Sequence, residues 1–181
     1  NKDSLLYDAH PDWVIRVPYR PACHGRNQFV LDFSRDEVVD YISDKIAGIL
    51  RGAPISYIKW DMNRSISEAF SHGAGAEDQG KLFHRYILGV YRLYERLTSE
   101  FPEVLFESCA SGGARFDPGM LYYAPQCWTS DNTDAVERLR IQYGTSMVYP
   151  LSSMGCHVSV APNQQTYRNT PLTTRAETAY F

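Results

Sequence analysis

Much that would announce a membrane, secreted, metal-binding or nucleotide-binding protein is missing from this 181-residue sequence. No apolar run approaches the roughly 18 residues a membrane span requires, and no signal peptide opens the chain. Cysteines are few (Cys23, Cys109, Cys127 and Cys156) and none forms a C-x-x-C pair. With five scattered histidines and no H-x-x-x-H, neither a zinc site nor a disulfide framework is suggested, so the thiols read as reduced. Lys and Arg do not cluster and the net charge is −3, which argues against nucleic acid as the main partner. Neither G-x-G-x-x-G nor G-x-x-x-x-G-K-[ST] occurs, so nucleotide binding has weak support. What is present is an ordinary globular composition, 44% hydrophobic and 22% charged, with enough chain for one substantial core. Aromatics are plentiful at 13%; most serve a core, but a sugar-binding cleft needs the same flat faces.

From residue 34 onward the hydrophobic pattern alternates between two periods. Ser34 to Glu37 has the form of a capping box, followed by Val38-Val39, Ile42, Ile46 and Ile49-Leu50 at helical spacing up to Gly52. "ISYIKW" (55–60) reads as a strand, and the Gly-, Ser- and Ala-rich stretch 71–80 as a loop. A helix is predicted from about Lys81 to Ser99, with Leu82, Tyr86-Ile87, Val90, Tyr94 and Leu97 on one face and Pro102 beyond its end. "EVLFESC" reads as a strand, "ASGGAR" as a tight turn, and "DPGMLYY" as a short helix with Asp117 as N-cap and Pro118 in its first position. "PQCWTSD" is a further strand, "DAVERLRIQY" a helix opened by Asp134 and Glu137 and closed by Gly144, and "GCHVSVAP" a last strand. Thr170-Pro171 starts another helical pattern, with Leu172, Ala176 and Ala179-Tyr180 on one face, that runs to Phe181 without a cap. Residue 1 is Asn rather than Met, so a piece of a larger protein is expected. Strand–helix alternation throughout predicts an α/β parallel sheet, open or closed.

In such sheets function gathers at the carboxyl ends of strands. There the unusual residues fall: Lys59-Trp60-Asp61-Asn63, then Glu107-Cys109-Ser111-Gly112, then Trp128-Ser130-Asp131-Asn132. The intervening helices look routine. Lys59 and Asp61, two apart on a strand, share a face, so Lys59 would lower the pKa of Asp61 and keep it as a usable carboxylate nucleophile. For this pair alone, a salt bridge closing the strand is the more economical reading. Asp131 follows Trp128; Thr133 or Asp134 suits the helix cap better, which leaves Asp131 available. Two carboxylates on one rim could supply the acid and nucleophile that cleavage of a glycosidic bond requires. Gly112-Gly113 would let the backbone approach a ligand, although a plain tight turn explains it as well. Arg26, in "HGRNQ", could clamp hydroxyls or a carboxylate, with a surface role as the simpler alternative.

Taken together, "YIKWDMNR", "FESCASGGARFDPGMLYYAPQCWTSDNTDAVERL" and "YPLSSMGCHVS" resemble the bacterial α-galactosidases of glycoside hydrolase family 36. "HPDWVIRVPYRPACHGRNQFVLDFSRDEVVD" is similar to the segment before the nucleophile strand of the same enzymes. The likeness spans essentially the whole chain. It implies a (β/α)8 TIM barrel, of which residues 1–181 would form a fragment of the catalytic domain, about strands four to seven with their helices. It also implies retaining hydrolysis of terminal α-linked galactose without metal or organic cofactor. By the same resemblance Asp61 is the nucleophile and Asp131 the general acid/base. Arg26, Lys59, Cys109, Gly112 and Trp128 fall on positions lining the galactose site, with the Cys–Gly segment near the 2-hydroxyl. Ala114 departs from the pattern, since many relatives carry a third glycine there.

The resemblance further implies elements outside this chain: a β-domain, early strands bearing a pair of aspartates for the 4- and 6-hydroxyls, and an eighth strand. The chain by itself is therefore expected to have little galactosidase activity. An α-galactoside oligosaccharide is the expected partner, with no nucleic acid or membrane, and the parent enzyme is expected to be a homo-oligomer. The sequon Asn63-Arg64-Ser65 lies two residues past Asp61, where a glycan would block the site, so a cytoplasmic location is expected. Two other functions stay open: a galactosyl transglycosylase of the raffinose-synthase type, and a non-catalytic sugar-binding fragment. Retention of both Asp61 and Asp131 speaks against the last, because binding alone needs no such pair.

Overall fold

The computed structural model describes residues 1–180; Phe181, where the last helical pattern was followed, lies outside the described residues. The chain divides into two compact units, Asn1–Ser56 with Asn63–Val104, and Tyr57–Met62 with the chain from Leu105 onward.

The first unit is built on a helix pair. A short helix α1 (Leu5–Ala9) precedes α2 (Asp36–Gly52) and α3 (Leu82–Glu100). Of the apolar positions read on α2, Val38, Val39 and Leu50 are buried together with Ala47, Ile42 and Ile46 are half-buried, and Ile49 is 60% exposed; on α3, Leu82, Tyr86, Val90, Leu93, Tyr94 and Leu97 are buried. Each fully buried Leu contributes roughly 1.5–3 kcal/mol of hydrophobic stabilisation before entropy is counted. Ile87, predicted on the same face, is 38% exposed and lies on the margin of the stripe. Arginines tie the helices at the surface: Arg96 reaches Asp40 and Asp44 at 2.5 and 3.0 Å, and Arg92 reaches Asp36 at 2.5 Å.

The capping box expected at Ser34 does not form. Arg35 occupies the N-cap position of α2 without a side-chain cap. The Ser34 hydroxyl donates instead to Asp32, a fully buried carboxylate that also accepts from the hydroxyl of Ser71. A buried carboxylate needs donors more than a helix end open to water does, and it takes the serine. The loop 71–80 carries a 3-10 turn, Ala76–Lys81.

The second unit holds a four-stranded parallel sheet in sequence order: β1 (Tyr57–Asp61), β2 (Leu105–Cys109), β3 (Gln126–Trp128) and β4 (Met154–Gly155). Parallel strands in chain order with helices between them are a run of consecutive strands of a partial (β/α)8 barrel, the α/β class expected. Helices α4 (Pro118–Tyr123), α5 (Ala135–Ser146) and α6 (Leu172–Tyr180) belong to this unit. Asp117 caps α4, accepting from Met120 N at 2.9 Å, with Pro118 in the first turn, as read from the sequence.

Two expectations need correction here. Helix α5 passes through Gly144 to Ser146, because that glycine does not adopt the left-handed conformation that would end it. The last strand is two residues, 154–155, and not the longer "GCHVSVAP" segment. Its partner β3 is only three residues long, so the ladder ends at the Trp128–Gly155 pair and the chain leaves the sheet.

Candidate active site

The register of the sheet puts the chemistry-bearing residues beside one another. Lys59 pairs with Glu107 and Asp61 with Cys109 across β1 and β2, and Trp128 pairs with Gly155 across β3 and β4. Alternation along β1 points Tyr57, Lys59 and Asp61 to one face, and all three are exposed.

Lys59 has a neighbour that single-strand reasoning does not reveal. Its Nζ lies 3.2 Å from Oε1 of Glu107 and 4.1 Å from the centroid of the Trp128 ring. Oε1 has no donor in hydrogen-bonding geometry, so this contact is ionic rather than a formed hydrogen bond. The Tyr57 hydroxyl donates to the other oxygen, Oε2. Burial pushes the Glu107 carboxyl above the usual carboxylate range despite the ammonium beside it.

Asp61, the last residue of β1, is in hydrogen-bond reach of the Cys109 thiol. Burial first, and then this carboxylate, raise the pKa of Cys109, so the thiol stays protonated and donates to Asp61. Cys127 on β3 is pushed up to about 12, chiefly by burial, and is an inert core thiol. All four cysteines are free.

Beyond β2 the chain turns through Ser111 at φ 51° and Gly112 at φ 84°. A Cβ on Gly112 would stand 2.9 Å from both the amide nitrogen of Asp131 and Cα of Ser130, so only glycine lets these two loops touch. Gly155 is similarly confined, its missing Cβ lying 3.1 Å from Trp128 Cε3 and 3.3 Å from Glu107 Oε1.

Asp131 is exposed and does not cap α5. Asp134 does so, accepting from Val136 N at 2.9 Å and Glu137 N at 3.2 Å. Burial works to raise the pKa of Asp134. Donation by Thr166 and by those two amides, with the Arg168 guanidinium 2.6 Å away, outweighs burial and holds the carboxyl below its usual range. Glu137 does not close the capping box; it pairs with Arg168 at 3.2 Å.

Lys59, Trp128 and Asp131 line one open cavity of about 590 Å³ together with Glu107, Gly155 and His157. His157 stacks on Trp128 with ring centroids 5.0 Å apart. Burial, with the charges of Arg138 and Lys59, lowers its pKa, so the imidazole is neutral at pH 7. Asp61, Cys109 and Gly112 are not among the residues lining this cavity. Arg26 belongs to the first unit, in a turn from Gly25 to Gln28 where Arg26 and Asn27 have φ of 51° and 61°. Arg64 straps that turn through the carbonyls of Cys23, at 2.6 Å, and Gln28, at 3.3 Å. Among the described residues no group of three or more His, Cys, Asp or Glu could hold a metal ion, and no helix is long and apolar enough to cross a membrane.

The family model for melibiase matches residues 1–181. The chain belongs to the melibiase family. Among its relatives, alpha-galactosidase AgaA of Geobacillus stearothermophilus is 58% identical over 177 residues, 98% of this chain and 24% of that protein. The crystal structure of an alpha-galactosidase from Lactobacillus brevis matches all of this chain and 24% of that one, at 57% identity and TM-score 0.98. A variant of AgaA solved in complex with raffinose matches 99% of this chain and 25% of that one at TM-score 0.96 and 57% identity. The chain thus spans about a quarter of the length of these melibiase relatives.

The roles of two residues beside the candidate site are not evident from the sequence. Glu107 was visible as a strand-end acid, but its pairing with Lys59 needs the inter-strand register. Arg138 sits on a helix read as routine. Nothing in the sequence marks it: the apolar Val136, Leu139 and Tyr143 of α5 are exposed, and the buried positions are Ala135 and Arg138.

Proposed function

We propose that residues 1–181 form part of the catalytic (β/α)8 domain of a retaining α-galactosidase and carry both of its catalytic carboxyl groups. The observation that supports this best is the pairing of strand ends within a melibiase chain: Asp61 beside the Cys109 thiol, and Asp131 on a loop seated against Gly112. The Asp61 carboxylate attacks the anomeric carbon of a terminal α-linked galactose while Asp131 protonates the departing glycosidic oxygen. This leaves a galactosyl ester on Asp61. Asp131, now a carboxylate, takes a proton from water as that water displaces the ester. Galactose leaves with its configuration retained, and each carboxyl returns to its starting state. Every bond change is accomplished by the two carboxyl groups, so the reaction calls for no cofactor.

Lys59, held by Glu107 and Trp128, presents an ammonium to the sugar hydroxyls, and Trp128 offers an aromatic face. Cys109 and Gly112 meet the 2-hydroxyl side, and Arg26 contributes a guanidinium. The substrates are oligosaccharides of the melibiose and raffinose type, and the raffinose complex of the AgaA variant supports that choice. The same reading puts the enzyme in the cytoplasm as a homo-oligomer; activity recovered from a secreted or periplasmic fraction would count against the location.

The test uses the full-length protein that contains this chain, assayed on raffinose and an aryl α-galactoside. Asp61→Ala should abolish turnover, with azide restoring part of it as β-galactosyl azide. Full activity in Asp61→Ala would sink the assignment. The isolated 181-residue chain should have little activity. Assays with added acceptor sugar separate hydrolysis from galactosyl transfer.

A further inference from the structure

Helix α5 carries a cation that the reaction as written does not use. Arg138 is 2% exposed and, among the described residues, forms no ion pair with a carboxylate. Its guanidinium donates to three backbone carbonyls: Nη2 to Ser130 at 2.5 Å, Nε to Asn132 at 2.8 Å and Nη1 to Gly155 at 3.3 Å. Its plane lies 4.8 Å from the Trp128 centroid. Ser130 and Asn132 are the residues on either side of Asp131. A buried guanidinium is expensive, and removing it from water for the sake of three carbonyls makes sense only if the segment it grips must stay in place. The same segment runs close to Gly112, where a Cβ would stand 2.9 Å from Asp131 N.

We propose that Arg138 is the positioning residue of Asp131: by bracketing the carbonyls before and after it, the guanidinium fixes the acid/base on its loop for both proton transfers. The inference rests on the assignment of Asp131 as acid/base. The residue touches no reacting atom. Its buried charge also interacts electrostatically with the carboxylate of Asp131. Lysine at this position would keep the charge but could not grip two flanking carbonyls with one planar fork.

The experiment compares Arg138→Lys and Arg138→Gln with the unaltered full-length protein on a series of aryl α-galactosides of falling leaving-group acidity, ending in raffinose. General acid catalysis is worth roughly 10²–10⁴-fold and is needed only where the leaving group is poor. The expected result for Arg138→Gln is a loss of about a hundredfold in kcat/KM on raffinose with a change of only about threefold on the dinitrophenyl galactoside. Arg138→Lys should fall between. Azide should raise kcat on the dinitrophenyl substrate and yield α-galactosyl azide, because the base for water is also misplaced. An equal loss on every leaving group overturns the proposal, as does no loss. A Lys variant that gives no cooperative melt also overturns it, since the guanidinium would then hold the unit rather than one carboxyl. If Asp131→Ala shows no dependence on leaving group while Asp61→Ala is inactive, the acid/base assignment has failed, and the Arg138 inference fails with it. If the unaltered protein cleaves no α-galactoside, the functional reading has failed as a whole.

Discussion

Two helical arginines show two different uses of charge. Arg96 on α3 has a side chain 43% exposed and bridges two carboxylates on α2. Arg138 on α5 is almost wholly buried and holds carbonyls instead. Exposed pairs of the first kind contribute little, because water and salt screen them and two long side chains must be ordered. A buried charge without a carboxylate partner has no such cheap substitute. Glu107 and Asp134 in the second unit follow the same rule: both are buried acids whose oxygens are committed to named partners. The ion pairs between α2 and α3 decorate a helix pair already held by apolar packing, whereas Arg138 and Asp134 hold loop segments next to α5.

The sharpest way to break this comparison is at Asp134. Asp134→Ala removes two cap hydrogen bonds and the acceptor of Thr166, and leaves Arg168 with Glu137 alone, for an expected cost of roughly 2 kcal/mol. Native-state hydrogen exchange at the α5 amides in the full-length protein would measure it. Because the folded pKa of Asp134 is depressed, its contribution is present above the unfolded value of about 4 and is lost as pH falls through the lower folded value. The gap between variant and parent should therefore hold from pH 7 to 5 and shrink in stronger acid. A gap that widened in acid would contradict the burial of a paired carboxylate.

Glu107→Gln should have a smaller effect, about 1 kcal/mol near neutrality, since the amide can still accept from Tyr57 while the contact with Lys59 weakens. Its pH signature has the opposite sign. The folded pKa of Glu107 is raised, so its ionisation costs stability as pH rises from the unfolded value of about 4 through the folded one. The Gln variant should flatten that slope in denaturation profiles. A parent profile with no decline there would show that Lys59 compensates burial fully.

Arg96→Ala is expected to change stability by less than about 1 kcal/mol, and by less still in 1 M salt. A cost above about 2 kcal/mol in a double-mutant cycle with Asp40 or Asp44 would mean that the surface charge of the first unit is not incidental.

Much of this architecture was legible in the sequence. The apolar stripe of α3 and the caps at Asp117 and Asp134 follow from local pattern, because each depends on residues within a turn or two of one another, and the parallel order of the strands follows from their alternation with helices. The failures share a cause as well. Ser34 donates to Asp32, a carboxylate buried in the fold beside the distant Ser71; β4 stops where its partner strand stops; and Lys59 meets Glu107 across the sheet rather than only its own strand. Arg138 illustrates the same limit: the apolar Val136, Leu139 and Tyr143 of α5 are exposed, while the carbonyls that hold Arg138 inside belong to residues outside the helix. Candidate site residues at strand ends could be named from position alone. That Glu107 faces Lys59 depends on the strand register, and that His157 stacks on Trp128 depends on the tertiary fold.

The four free thiols give this protein a graded set of chemical reporters. Cys23 is exposed, Cys156 is half-buried, and Cys109 and Cys127 are buried. A thiol-specific reagent should therefore consume Cys23 first and Cys156 more slowly. Cys109 and Cys127 become reactive only through transient opening of the sheet, and their modification rates measure how often β2 and β3 breathe. Because Cys109 stands beside Asp61, a bound galactoside that quiets those strand ends would slow its labelling without changing that of Cys23. Timed alkylation read by mass spectrometry would thus follow occupancy of the site without a coloured substrate.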